Sequence, residues 1–82
     1  MFKIAENIED GNNASIKTVE YFGNSYIVYD FVSYITTDEN GYVFGWFAKP
    51  DLLFDGWDSG DRHQWLGVIK YDGDWQDSYL EV

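Results

Sequence analysis

The sequence predicts an all-β domain: a small antiparallel meander of five to six strands closing into an SH3-like barrel or a compact sandwich. At most one short helical turn is expected, near residues 50–54. Three observations carry this. Dipeptides suited to positive φ recur along the chain at Asp10-Gly11, Gly23-Asn24, Asn40-Gly41 and Asp72-Gly73. The runs between them are rich in Val, Ile, Thr, Tyr, Phe and Trp, which fit a pleated, half-buried surface. No segment carries an i, i+3, i+4 apolar stripe, whereas alternation fits several.

Taken in order, the first strand is expected from Phe2 to Ala5 and the second from Ser15 to Phe22. The third, Tyr26 to Thr37, is long and apolar on both faces. Ile27, Tyr29, Phe31 and Ile35 share one face, and Tyr26, Val28, Val32 and Tyr34 the other. Such a strand is expected to bend and serve two sheet layers. The fourth, Tyr42 to Ala48, contains Gly45, which marks a bulge or bend. Pro50 stops it, and Asp51-Leu52-Leu53-Phe54 is read as a single helical turn with Pro50 at its first position. A Gly- and Asp-rich loop follows to Asp61. The fifth strand runs from His63 to Tyr71, with Trp65, Ile69 and Tyr71 opposite Leu66 and Val68. The last runs from Trp75 to Leu80.

A chain of 82 residues is read as one domain, residues 1–82. A domain this small buries a modest fraction of its surface and needs extra stabilisation. Cysteine is absent, which excludes disulfides and every thiolate metal or redox site. The seventeen aromatic residues (seven Tyr, six Phe, four Trp) are therefore read first as the stabilising device. No run of 18 apolar residues exists, and the N-terminus turns polar too soon for a signal peptide, so the expected address is the cytoplasm of a cell or host cell. Asn13-Ala14-Ser15 matches the glycosylation triplet, a pattern common by chance.

Charge is the clearest anomaly: fifteen acids face five bases, a net charge of −10. Direct binding to nucleic-acid phosphates or anionic membranes is disfavoured. Basic proteins, cations or neutral ligands are the partners that fit.

Four Asp residues lie in the loop at positions 51, 55, 58 and 61. Calcium at Asp55, Asp58 and Asp61 is chemically conceivable, but the spacing departs from the EF-hand pattern and favours a solvated, turn-rich loop. No metal or other cofactor is expected. His63 is the only histidine, and no nucleophile motif accompanies it, so it reads as a surface residue at a strand start. A glycosidase-like carboxylate pair arises by chance among fifteen acids, and no catalytic residue is assigned. Trp46 and Trp65 are read as core. Trp57, in a polar loop, and Trp75, after Asp72-Gly73-Asp74, are candidates for a partner or sugar. That tripeptide itself is read as hairpin chemistry. On a strand, Asp72 and Asp74 would stand about 6.6 Å apart on one face, about twice the axial charge spacing of one DNA strand.

The leading reading is a non-catalytic interaction module. Asp55, Trp57, Asp58, Asp61, Asp72, Asp74 and Trp75 would meet a basic protein surface. One version is a nucleic-acid mimic of the kind found in phages and mobile elements. A carbohydrate-binding module using Trp57 and Trp75 is the alternative. A third reading is a structural or assembly subunit of a virus particle or larger complex, a homo-oligomer among its forms.

Overall fold

The computed structural model describes residues 2–4 and 15–82. The Asp10-Gly11 turn and Asn13 lie outside the described residues. Among these described residues there are nine strands: β1 (Phe2–Ile4), β2 (Ile16–Tyr21), β3 (Asn24–Tyr29), β4 (Tyr34–Thr37), β5 (Tyr42–Trp46), β6 (Asp51–Leu52), β7 (Trp57–Asp58), β8 (His63–Val68) and β9 (Leu80–Glu81). One short 3-10 turn covers Trp75–Asp77. The chain is all-β. Its strands form a three-stranded sheet of order β1-β3-β2, a four-stranded sheet of order β8-β5-β4-β9, and the small pair β6-β7.

No sheet among the described residues closes on itself. The path is also not a simple meander. β1 runs parallel to β3, and β9 returns to pair with β4. The two larger sheets share one core. Val19, Tyr21, Tyr26 and Val28 come from the first, and Val32, Ile35, Val43 and Leu66 from the second sheet and its approach.

The expected long third strand is two strands. Val32 N–H donates to the Tyr29 carbonyl at 3.0 Å, closing a turn over Asp30-Phe31. This turn carries the chain from one sheet to the other, as the two-faced apolar pattern required. It also changes the phase of alternation: Tyr26, Val28 and Val32 are buried from one predicted face, but Ile35 from the other.

The β2–β3 turn uses Phe22 and Gly23, at φ 46° and 82°, rather than Gly23-Asn24. Asn24 already pairs with Tyr21 in the ladder. Two positive φ values suit the twist of a tight hairpin, and this register sends Val19, Tyr21, Tyr26 and Val28 inward together.

The irregularity expected at Gly45 lies across the ladder. Val43 faces Gly67 and Phe44 faces Trp65, so Leu66 is the extra residue of a bulge in β8. The bulge resets the alternation, burying both Leu66 and Gly67 and leaving Val68 exposed. Gly45 marks a close approach instead: a Cβ there would lie 2.9 Å from Val32 Cγ1.

Two further expectations are corrected. Residues 51–54 form no helical turn, because Asp51 and Leu52 pair with Asp58 and Trp57 in a miniature hairpin. The last strand does not begin at Trp75. Asp74 Oδ1 accepts from Gln76 N–H at 3.0 Å and caps the 3-10 turn there, so β9 is only Leu80–Glu81. Before it, fully buried Ser78 takes the place of a strand residue. Its hydroxyl accepts from Thr37 N–H at 2.8 Å and donates to Thr37 O at 3.0 Å.

Candidate functional site

Among the described residues, the β6–β7 hairpin carries the most exposed apolar side chain. Leu53 N–H donates to Gly56 O at 2.8 Å and closes its tip. Leu52 and Leu53 are 47% and 46% exposed, and Phe54 is 98% exposed. Asp51, Asp55 and Asp58, all exposed, surround these three in sequence. Phe54 packs against no other ring among the described residues, although most aromatic side chains of this protein do.

A glycine and a carboxylate seat the turn of the hairpin against the rest of the fold. Buried Gly56 lies over Asp38, so a Cβ at position 56 would come 3.1 Å from Asp38 Oδ1. That oxygen is itself buried without a hydrogen-bond partner. Burial pushes the Asp38 carboxyl above the usual carboxylate range. The Asp55 charge adds to the rise, while the Trp57 backbone N–H and His63 oppose it.

The candidate residues divide between two places. Asp55, Trp57, Asp58 and Asp61 belong to the hairpin and its exit. Trp57 is half-buried and stacks on Tyr79 at 6.1 Å, and Tyr79 stacks on Tyr34 at 5.6 Å. It therefore braces the hairpin rather than standing free. Asp58 Oδ1 accepts from Gly60 N–H at 3.0 Å, and Asp61 Oδ1 from Arg62 N–H at 2.7 Å. Both carboxylates shape the turn while remaining exposed.

Of the other three, Trp75 lines a second place, a cleft of about 520 Å³, and Asp74 caps the turn that carries it. Half-buried Trp75 and Tyr71 line it, with Glu39 and Lys70 among its other residues. Asp72 lines a smaller neighbouring cleft of about 220 Å³ with Phe22 and Tyr71. Asp72 and Asp74 flank Gly73 ahead of the 3-10 turn and are not on a strand, so a strand-like charge spacing does not apply to them. The tripeptide leads into that turn and forms no hairpin.

Asp38 is common to both places, lining the larger cleft and lying beneath Gly56. Sequence reading missed it, because an acid before Glu39-Asn40-Gly41 reads as turn chemistry alone. It missed the apolar tip for a different reason: Leu52-Leu53-Phe54 was absorbed into a helical turn. The available signal was a run of three apolar residues inside a polar loop.

Trp46 is core, and its indole N–H donates to Thr36 Oγ1 at 2.8 Å. His63 is exposed at the start of β8, 5.2 Å from the rings of both Phe44 and Trp46. Among the described residues, no three His, Asp or Glu side chains group to hold a metal ion. No helix among them is long and apolar enough to cross a membrane. Comparison of the chain with protein-family models, curated proteins and solved structures finds no match in any of the three. The functional reading rests on the chain's own surface.

Proposed function

We propose that this chain is a non-catalytic interaction module that inserts the β6–β7 tip into an apolar pocket on a basic protein. The observation that carries the reading is Phe54, 98% exposed, beside exposed Leu52 and Leu53 and among exposed acids. Three consecutive exposed apolar residues cost solubility unless something covers them. An aromatic anchor in a pocket, rimmed by charge, is the arrangement of an interface hot spot. Exposed Asp51, Asp55 and Asp58 on the same hairpin, in a chain of net charge −10, select a basic rim.

A pure nucleic-acid mimic would bind through charge alone, and the apolar tip adds a contact that such mimicry does not use. The test is capture of a partner from source or host lysate, repeated with Phe54→Ala and with Asp51, Asp55 and Asp58 together changed to Asn. Phe54→Ala is expected to abolish capture at any salt. The triple variant is expected to weaken it most at low salt, where exposed charges are least screened. Capture indifferent to Phe54→Ala but lost on neutralising Asp55, Asp58, Asp72 and Asp74 would replace the anchor reading with the mimic.

A further inference from the structure

We propose that the cleft walled by Tyr71 and Trp75 is the seat of a basic side chain of the partner, the guanidinium of an arginine. This rests on the reading of the chain as a module for a basic protein, and names the group that its second place takes.

At about 520 Å³ the cleft falls within the range of pockets that hold ligands. Its apolar wall is supplied by Val68, Ile69, Tyr71 and Trp75. Two acids, Asp38 and Glu39, line it against one base, Lys70. Rings beside carboxylates are what a planar cation needs: its face lies on a ring and its edge donates to a carboxylate. A phosphate or sulfate would meet the wrong sign of charge.

The walls are built in advance. Ile69 N–H donates to Gly41 O at 2.9 Å. Gly41, at φ 89°, approaches Ile69 so closely that a Cβ would collide with the Ile69 carbonyl oxygen. Asn40 Oδ1 accepts from Tyr42 N–H at 3.3 Å. Trp75 rides on the turn capped by Asp74, and that turn is tied to the core through Ser78 and Thr37. The turn that carries Trp75 is thus fixed before any ligand arrives, which limits the ordering cost of binding. Asp38 lines this cleft and lies against Gly56 of the hairpin turn, so one partner can engage both.

The test uses isotope-labelled protein and a capped glycyl-arginyl-glycine peptide, read at the indole N–H of Trp75 by NMR, with Trp57 as the internal control. Saturable movement of the Trp75 signal alone is expected, with no response to the matched glutamine peptide. Glu39→Gln should weaken the arginine peptide and Lys70→Gln should strengthen it, each by about two- to fivefold, the span of an exposed charge pair. Both residues are exposed, so neither variant endangers the fold.

No movement of Trp75, or equal movement with the glutamine peptide, overturns the proposal. So does weakening by Lys70→Gln, since removing a like charge should favour a cation seated there. A neutral disaccharide that moves Trp75 where the arginine peptide does not would make it a sugar site. The hairpin reading stands or falls separately: partner capture lost in Phe54→Ala, with Trp75 silent to arginine, sinks the cleft and leaves the module.

Discussion

Phe22 and Phe54 each sit in the turn of a hairpin, and the rest of the molecule treats them in opposite ways. Phe22 closes the six-residue ladder of β2 and β3, in a left-handed conformation at φ 46°. Its ring packs edge-on against Tyr21 at 4.8 Å and Tyr71 at 5.2 Å, leaving it 53% exposed. Phe54 closes a ladder of two residues per strand and is 98% exposed. Backbone strain at Phe22 is repaid within the fold, since the turn places the ring where two others receive it. Nothing among the described residues receives Phe54. One aromatic turn is an internal fixture, and the other faces outward.

The sharpest way to break this contrast is at the root of the first hairpin. Tyr21 is fully buried, and its hydroxyl meets Thr37 Oγ1 at 2.7 Å and donates to Ser78 O at 2.9 Å. It joins the first sheet to the Ser78 anchor of the second. Tyr21→Phe leaves two buried groups short of a partner and should cost about 1–3 kcal/mol. In a domain this size, each kcal/mol lowers the Tm by about 4–8 °C. Burial, the largest cause, pushes the Tyr21 hydroxyl up to about 12, although its hydrogen bonds oppose the rise. The folded state then holds its proton after the unfolded state has lost it. The stability this hydroxyl contributes is present below pH 10 and is lost as pH rises from there through 12. The Phe variant should lose that alkaline decline, visible in melts across this window.

A smaller effect is expected at the turn itself. Phe22→Ala removes two aromatic contacts and keeps the positive φ on a residue ill suited to it. A loss of about 1 kcal/mol is expected in chemical denaturation. A gain in stability would show that the ring contacts with Tyr21 and Tyr71 do not stabilise the fold.

The two hairpins also differ in how far the sequence disclosed them. β2 and β3 were legible because alternation over six residues fixes which face is buried, and Val19, Tyr21, Tyr26 and Val28 follow it. Their turn was misplaced by one residue, since positive φ at a phenylalanine is visible only in coordinates. β6 and β7 were illegible because two residues per strand carry no period. Pairing with Asp58 and Trp57, not local propensity, makes them strands. Alternation also failed where a turn or a bulge reset its phase, between Tyr29 and Val32 and at Leu66. Of the candidate site, Asp55, Trp57, Asp58 and Trp75 were in view as residue types beside one another. Asp38 and Phe54 were not, because what distinguishes them is what lies against them.

Beneath the turn of the second hairpin, Asp38→Asn probes the half-buried carboxylate that lies against Gly56. The folded state favours the protonated form, so wild-type stability falls as pH rises from the ordinary carboxylate value through the raised one. The Asn variant, which carries no charge there, should gain on wild type across that interval and run parallel to it above. Thermal melts from acid to neutral pH would show this. A variant that lost ground as pH rose would mean that the ionised carboxylate holds the hairpin through the Trp57 N–H.

The smallest effect on the fold should come from the most conspicuous side chain. Phe54→Ala removes a ring that touches no other ring and is almost wholly in solvent, so stability should change by no more than about 0.5 kcal/mol. The same change at Phe22 should be felt in the melt and not in partner capture, if the two turns differ as their surroundings indicate. A Phe54→Ala variant that binds nothing and melts unchanged completes the contrast. One that melts several degrees lower would show that the ring rests on the protein itself, and the hairpin tip would then be part of the fold.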